Sequence, residues 1–239
     1  GSTDGGCTQV PAFRNAAFLA FGPDGRHAYV AARDSGTITT FARDRRTGLL
    51  KRTSCVGAVD GGKAQGCAEV PGLSIPSAMT MAPDGRTIYV ADVGGGGTIV
   101  ALRRDRKTGK LARLQCLGDR GRATAGCGEA PKVSDLKNLV ISPDGRFLYA
   151  GSRGYAAILV FARNADGTLA FASCVTRDAD ADCTTGIPEL QAPRWVAMAP
   201  DGGDLYVADN SSYAVLDLRR DPASGALVRG GCWSGLSDG

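Results

Sequence analysis

A Pro-Asp-Gly triplet recurs four times along the chain at nearly equal intervals, and this repeat constrains the fold more than any other feature. The triplets begin at Pro23, Pro83, Pro143 and Pro200. Proline presets φ, the aspartate side chain bonds nearby backbone and glycine accepts a positive φ, so each triplet predicts a tight turn. A short apolar run stands on either side of each triplet. We therefore expect each turn to join two β-strands.

Two further short runs complete each unit, and a segment that closes on glycine joins them. These segments span residues 43–48, 104–109, 163–167 and 220–225. The runs are rich in Val, Ile, Tyr and Leu, which favour strands. A glycine that ends a short connection is typical of a β-hairpin. Each unit is thus predicted to be a four-stranded antiparallel meander.

Four such meanders predict an all-β fold, a β-propeller with four blades of four antiparallel strands. The units span about 7–55, 67–116, 127–174 and 183–232, and residues 1–239 would form a single propeller domain. A single sheet of this kind has two apolar faces and cannot bury both alone, whereas sheets packed around an axis cover one another. A two-sheet sandwich is the alternative, but it does not explain four equivalent units.

The eight cysteines follow the same repeat and indicate an oxidising, extracellular or cell-surface location. One cysteine ends the fourth strand of each unit, and another precedes each first strand. The expected pairs are Cys55–Cys67, Cys116–Cys127, Cys174–Cys183 and Cys7–Cys232, one disulfide per blade junction. The last pair would close a monomeric ring of four blades. Two alternatives remain open: a segment cut from a longer repeat array, and two chains that build an eight-bladed ring.

Composition excludes several other classes of protein. The net charge is only +4, and basic and acidic residues alternate without an aromatic stripe, so we expect no nucleic-acid partner. No apolar run is long enough to cross a bilayer, so we expect no direct membrane insertion in this segment. The chain has a single histidine, His27, and no C-x-x-C pair, so we expect no metal-thiolate site.

A ligand site is expected at the axial mouth, where the first strands begin and the loops after the second strands converge. Polar residues that differ from unit to unit mark this region, because the repeat does not need them for folding. The candidate ligand-binding residues are Arg33, Asp92, Lys137, Asn138, Arg153, Arg194, Trp195 and Asp209. The cations among them could bind a carboxylate or a phosphate. Alternatively, they pair with Asp92, Asp209, Asp34 and Asp135 around a solvated rim.

One acidic loop resembles a calcium-binding loop by spacing alone. Its carboxylates are Asp178, Asp180, Asp182 and Glu189. The position where calcium loops need glycine for a sharp turn is Cys183, and no helices flank the loop. A solvated acidic loop is the alternative, and we expect no other cofactor.

The segment 82–92, Ala-Pro-Asp-Gly-Arg-Thr-Ile-Tyr-Val-Ala-Asp, resembles the YVTN-type repeat. This repeat occurs in lactonase-like β-propellers related to 6-phosphogluconolactonase and carboxymuconate cyclase. The similarity extends over all four units and implies a propeller. It is less specific for activity, since such repeats serve enzymes, surface proteins and receptor ectodomains.

Two functions are therefore considered. The first is a non-catalytic recognition module, secreted or part of a receptor ectodomain, which binds a protein or a small anionic ligand, because no nucleophile–base pair is evident. The alternative is a lactonase- or lyase-like enzyme that acts on a small anionic substrate at the central channel. Its acid or base would be Lys137, Asp92 or Asp209.

Overall fold

Four β-sheets, one per repeat unit, make up the computed structural model, which describes residues 7–58 and 66–235. The first sheet contains β1 (Ala16–Phe21), β2 (His27–Ala32), β3 (Thr37–Arg43), β4 (Leu50–Gly57) and β5 (Ala68–Glu69). The second contains β6 (Pro76–Met81), β7 (Thr87–Asp92), β8 (Thr98–Arg104), β9 (Leu111–Asp119) and β10 (Gly128–Ala130). The third contains β11 (Leu136–Ile141), β12 (Phe147–Ser152), β13 (Ala157–Arg163), β14 (Leu169–Thr176) and β15 (Thr185–Gly186). The fourth contains β16 (Pro193–Met198), β17 (Asp204–Asp209), β18 (Ala214–Arg220) and β19 (Leu227–Ser234).

The all-β, propeller-like architecture is confirmed, and each sheet contains the expected antiparallel meander of four strands. The sequence did not predict the short fifth strand of the first three sheets. Strands β5, β10 and β15 follow the disulfide loops and pair in parallel with the fourth strand of their sheet. The disulfide holds each short segment beside that strand, where its backbone completes the edge.

The first strand of each sheet lies nearest the axis. Strand β6 packs against β1 and β11, and β11 packs in turn against β16. Tightly packed clusters fill the three gaps between neighbouring sheets. Tyr29, Tyr89 and Tyr149, which come from the second strands, are fully buried in these gaps. Alternate residues of a strand point to opposite faces, so each inner sheet contributes apolar residues to two gaps.

Three of the four expected disulfides are present: Cys55–Cys67, Cys116–Cys127 and Cys174–Cys183. The expected closing bond is not, because Cys7 and Cys232 are both free thiols. The sheets pack in the order first, second, third, fourth, and the described strands form no core cluster between the fourth sheet and the first. The four sheets form an open arc, and the closed four-bladed ring predicted from sequence is wrong for this single chain.

None of the helical turns within residues 7–58 and 66–235 has the length and hydrophobicity that a membrane-spanning helix requires.

Candidate functional site

A β-bulge interrupts the first strand of every sheet at the same place. In the third sheet, Leu136 opposes Ser152 and Asn138 opposes Gly151, which leaves Lys137 as the extra residue. The same shift occurs in the other three sheets. The bulged residues are Ala17, Ser77, Lys137 and Arg194. Bulges redirect side chains and are common beside active sites, so the two cations stand at equivalent places on neighbouring sheets at the axial mouth.

Lys137 and Arg153 share one carboxylate. The Nζ of Lys137 lies 2.5 Å from one oxygen of Asp135, and Nη1 of Arg153 lies 3.1 Å from the other. Partial burial acts to raise the pKa of Asp135, but the hydrogen bonds and charges of the two cations outweigh burial and lower it. Two cations on one ionised carboxylate leave a local excess of positive charge, which suits an anionic ligand.

Arg194 and Trp195 are both exposed, but they serve different surfaces. The Arg194 side chain has no hydrogen bond or ion pair within the described part of the chain. Trp195 is half exposed at the position equivalent to Asn138, whose Nδ2 donates to the carbonyl oxygen of Val196 in the next sheet at 3.4 Å. Asn138 thus contacts the next sheet, and Trp195 lies exposed at the equivalent place on the fourth sheet. Their role in ligand binding stays a prediction.

Asp92, at the end of β7, is fully buried and acts as an anchor for two loops. One oxygen accepts the backbone N–H groups of Ser74 and Ile75 at 2.7 and 2.6 Å, and the other accepts that of Gly94 at 2.8 Å. Burial raises the pKa of Asp92 to about 6, although the backbone donors and the charge of Arg33 favour the ionised form. Its oxygens are occupied by backbone groups, so Asp92 is not available as a catalytic acid or base.

Asp209 has the same arrangement at the end of β17. Its carboxylate accepts backbone N–H groups from Gln191, Ala192, Ser211 and Ser212 at 2.7–3.0 Å. Asp209 therefore holds the entry to β16 against the loop after β17, and it too is corrected from catalyst to loop anchor.

The strand register separates Arg33 and Arg153 from the aspartate position. Asp92 pairs with Thr98 at the end of its strand, and Ala32 and Ser152 occupy the equivalent places in the first and third sheets. Arg33 and Arg153 each follow one residue later. Arg33 lines a small cleft of about 340 Å³ with Asp34, Ser74 and Ile75. Of the four carboxylates predicted to pair with the rim cations, only Asp135 has an ion pair with a cationic side chain among residues 7–58 and 66–235.

Sequence reasoning missed Tyr155, which lies in the 3-10 turn Arg153–Tyr155 at the mouth. Its hydroxyl donates to Oδ2 of Asp119 at 2.5 Å, while Oδ1 of Asp119 accepts the Val133 N–H at 3.1 Å. The hydrogen bond to Asp119 raises the pKa of Tyr155. Lys132 lies over the tyrosine ring at 5.2 Å. The other units have no tyrosine at this position, so the repeat gave no signal for it.

The proposed calcium loop has a different arrangement from a metal site. Each of its four carboxylates pairs with a separate cation: Asp178 with Arg177, Asp180 with Lys132, Asp182 with Arg120, and Glu189 with Arg229. Within residues 7–58 and 66–235, no cluster of three potential metal ligands occurs. Each carboxylate is thus neutralised by its own cationic partner, and calcium binding by this loop stays a prediction.

His27, the one histidine of the chain, lies at the opposite end of the sheets from the mouth. It follows the first Pro-Asp-Gly turn, is buried, and its Nδ1 lies 3.1 Å from Nη2 of Arg104. Burial and the charge of Arg104 lower the pKa of His27. This histidine packs between the first two sheets and is too far from the mouth to act there.

Comparisons with known proteins agree with the repeat. The family model described as lactonase, 7-bladed beta-propeller, matches residues 121–231. A periplasmic gluconolactonase of Pseudomonas aeruginosa has a similar structure, with 22% identity and a TM-score of 0.67 over 94% of this chain and 59% of that one. A protein assigned as a 6-phosphogluconolactonase from Bacteroides uniformis gives 22% identity and a TM-score of 0.65 over 88% of this chain and 52% of that one. No curated protein sequence matches the chain.

The chain thus spans between 52% and 59% of the length of these two solved structures, and identities this low establish the fold alone. The predicted resemblance to lactonase-like propellers is confirmed. The interpretation as a recognition module or receptor ectodomain is wrong, because the family model and the neighbours both favour the lactonase-like alternative.

Proposed function

We propose, from the resemblance to lactonase-like β-propellers, that this chain is part of an enzyme that hydrolyses small anionic lactones at the axial mouth. The names of the similar structures point to sugar lactones as the substrate class: 6-phosphogluconolactone is anionic, and gluconolactone is its neutral counterpart. The observation that carries the proposal is the placement of Lys137 and Arg194 at equivalent bulges on adjacent first strands.

Lactone hydrolysis needs stabilisation of negative charge at two stages. Water adds to the carbonyl carbon and releases one proton to solvent, which produces an oxyanion; the ring C–O bond then breaks and the ring oxygen takes up a proton from solvent. Preorganised cations stabilise such an oxyanion strongly in a partly desolvated site. Arg194 has no side-chain partner among the described residues and is therefore free to contact the developing charge.

The paired cations Lys137 and Arg153 are suited to a different part of the substrate. Asp135 holds both in place through ion pairs of 2.5 and 3.1 Å. Ordered cations of this kind bind a carboxylate or phosphate with little loss of side-chain entropy. In this proposal they bind the anionic substituent of the lactone, and they place its carbonyl group near Arg194.

A secreted location, periplasmic or extracellular, fits this function. Three disulfides favour an oxidising compartment, and one of the similar structures is a periplasmic protein. The proposal needs no metal or organic cofactor, and its partner is the small anionic substrate.

The test is a pH-stat assay of glucono-δ-lactone and 6-phosphogluconolactone hydrolysis against the spontaneous rate. We expect Arg194→Ala to lower kcat for both substrates, because the oxyanion forms with each. Lys137→Ala should raise KM about tenfold or more for the phosphorylated lactone and much less for the neutral one, because a charge-assisted hydrogen bond contributes about 1.5 kcal/mol or more.

Lys110→Ala is the matched control, since Lys110 is an exposed lysine on a hairpin at the opposite end of the sheets. It should leave both kinetic constants unchanged. A protein that gives no rate above the spontaneous one with either lactone would disprove the proposed activity. Equal effects of the Lys110 and Lys137 variants would remove the assigned site.

A further inference from the structure

The contact between neighbouring sheets is built from the same groups at all three junctions. An arginine that ends the third strand of one sheet binds the Pro-Asp-Gly aspartate and the buried tyrosine of the sheet before it. The ion pairs are Arg104–Asp24, Arg163–Asp84 and Arg220–Asp144, at 2.9, 2.6 and 2.7 Å. Each tyrosine hydroxyl also donates to the carbonyl of a hairpin glycine in the following sheet.

Each end of the arc presents one half of this contact. Arg43 ends β3 as Arg104 ends β8, and its Nη1 lies 3.4 Å from the Gly25 carbonyl, as the equivalent arginines bond their own sheets. Asp201 and Tyr206 occupy the aspartate and tyrosine positions of the fourth sheet. Neither has an arginine partner within the described residues. The first sheet therefore carries the donor half and the fourth sheet the acceptor half.

The apolar surfaces at the two ends match in the same way. Leu50, at the start of β4, is 44% exposed, while the equivalent Leu111, Leu169 and Leu227 are buried against the preceding sheet. On the fourth sheet, Tyr206 is 40% exposed, whereas its three equivalents are fully buried. Trp195, Val215 and Trp233 are exposed on this same face. Both ends thus expose apolar positions that every internal junction covers.

The hairpin glycines support the match in shape. A Cβ added to Gly109, Gly167 or Gly225 would collide with the first residue of the second strand in the preceding sheet. Gly48 also has a positive φ, 77°, but nothing lies within 4 Å of an added Cβ. The residue that corresponds to its missing neighbour is Asp204, the first residue of β17. A close approach of glycine to that strand is possible at this end as well.

The two free cysteines, one near each end of the arc, correspond to the cysteines that form a disulfide at every internal junction. At each internal junction, the cysteine of the fourth strand bonds the cysteine that precedes the next sheet. Cys232 and Cys7 are the remaining members of these two sets, and both are free. The fourth sheet is also the one with four strands where the others have five, and the segment after Cys7 corresponds to the fifth strands β5, β10 and β15.

One chain alone does not bring these halves together. Its four sheets match 59% of the Pseudomonas structure with a TM-score of 0.67, so they are arranged like part of a larger propeller. The complementary faces lie at opposite ends of this arc. A second copy with the same arc can meet both ends at once, and a two-fold axis then closes the ring.

We propose that two copies of this chain associate head to tail into a closed ring of eight sheets. The fourth sheet of each copy packs on the first sheet of the other, and Arg43 of one copy binds Asp201 and Tyr206 of the other. Cys232 of each copy forms a disulfide with Cys7 of the other. Each bond takes two electrons and two protons from two thiols, and a low-molecular-weight disulfide such as oxidised glutathione accepts them. This assembly does not depend on the proposed lactonase activity.

The test measures molar mass and disulfide state on the chain of 239 residues. After equilibration with oxidised and reduced glutathione, light scattering on a sizing column should give twice the monomer mass of 24.6 kDa. Gels without reductant should show the same doubled mass, and gels with reductant the single chain. Peptide mapping should find Cys7 linked to Cys232. The double variant Cys7→Ser/Cys232→Ser should lose the covalent band but still associate.

Charge variants made in the Cys7→Ser/Cys232→Ser double variant test the interface in the absence of the intermolecular disulfides. Arg43→Asp should raise the dimer dissociation constant at least about thirtyfold, because it removes one partner of a buried ion pair and opposes Asp201 with a like charge. Adding Asp201→Arg to it exchanges the charges and should recover most of the affinity. Lys107→Glu, an exposed change in the corresponding hairpin of the second sheet, is the control and should leave association unchanged.

Three outcomes would overturn the proposal. The first is a monomer whose Cys7 and Cys232 remain free, and the second is a monomer with these cysteines bonded within one chain. The third is a ladder of species larger than two chains, which would mean that the contact forms but does not close. Loss of association in Arg43→Asp without recovery by the exchanged pair would remove the assigned contact.

Discussion

The guanidinium group of Arg104, in the second sheet, binds the carboxylate of Asp24, in the first. Its Nη2 lies 3.0 and 2.9 Å from the two oxygens, and its Nε donates to the Tyr29 hydroxyl at 2.6 Å. The arginine side chain is fully buried, while the aspartate is partly exposed. A buried charge is tolerated only when its partners are in place. The Pro-Asp-Gly triplet thus has a second role beyond its turn, because it supplies the counter-ion for the next sheet.

Arg104→Leu should lower the free energy of unfolding by about 3 kcal/mol. Loss of one member of a buried pair costs about 3–5 kcal/mol, and the partial exposure of Asp24 reduces that amount. The Tyr29 hydroxyl also loses its donor. Urea unfolding followed by circular dichroism would measure the change as a lower midpoint.

Arg103→Leu is the control, since Arg103 is the exposed neighbour on the same strand. Its free energy of unfolding should stay within about 0.5 kcal/mol of the unchanged protein. Equal midpoints for the two variants would mean that the inter-sheet arginine contributes no stability.

Gly225→Ala should destabilise the protein by about 2–4 kcal/mol. Gly225 has φ of 75°, and an added Cβ would collide with the aromatic ring of Phe147 in the preceding sheet. Left-handed backbone costs a non-glycine residue about 1–2 kcal/mol, and overpacking adds about 1–3 kcal/mol. Thermal unfolding would record both effects as a lower Tm.

Gly25→Ala separates the two effects. Gly25 has φ of 64° but open space around the added Cβ, so only the backbone cost applies and the loss should be about 1–2 kcal/mol. If Gly25→Ala lowered the Tm as much as Gly225→Ala, packing against Phe147 would not be the cause.

Local signals in the sequence were sufficient for the sheets themselves. The triplets beginning at Pro23 and its three equivalents fall in the turns between first and second strands, and the hairpin glycines have the positive φ that the spacing implied. Turn chemistry acts over a few residues, so one sequence is enough to predict it. The three short-range disulfides followed from the same repeat for the same reason.

Long-range features were beyond that kind of reasoning. The pairing of Cys7 with Cys232 within one chain assumed the curvature of a four-sheet ring, and inter-sheet packing sets curvature. Asp92 and Asp209 were interpreted as ligand-binding residues because, aligned with Arg33 and Arg153, they are polar residues that differ from unit to unit. Only coordinates show that both oxygens of each carboxylate already accept backbone N–H groups.

Tyr149→Phe should destabilise the protein by about 1–2 kcal/mol while leaving its packing unchanged. The fully buried hydroxyl accepts from Nε of Arg220 at 2.8 Å and donates to the Gly225 carbonyl at 3.0 Å. Removal of the hydroxyl leaves Nε of Arg220 and the Gly225 carbonyl without this hydrogen-bond partner, and an unsatisfied buried group costs about 1–3 kcal/mol. Urea unfolding would measure the change. Tyr213→Phe, at an exposed tyrosine, should give none, and a similar loss there would point to a general effect of the substitution.

Asp92 should make stability fall as the pH rises from about 4 to about 6. Burial raises its pKa from 3.8 to about 6 in the folded protein, so over this range the folded state retains a proton that the unfolded state has released. Stability decreases with pH wherever the folded state binds more protons. The stability that protonated Asp92 contributes is therefore complete below the pKa of the unfolded state. It is lost as the pH rises through the pKa of the folded state, and the total loss is on the order of 3 kcal/mol.

Asp92→Asn removes this titration, so the test is the difference in unfolding free energy between the original protein and the variant at each pH. That difference should fall between pH 4 and 6 and become constant above about 6.5. Asp105→Asn provides the opposite case, because the backbone N–H groups of Thr108 and Lys107 lower the pKa of the exposed Asp105. The difference in unfolding free energy between the original protein and Asp105→Asn should instead decline as the pH drops below the ordinary pKa of aspartate. A flat or rising difference for Asp92 would mean that its three backbone donors outweigh burial and keep it ionised.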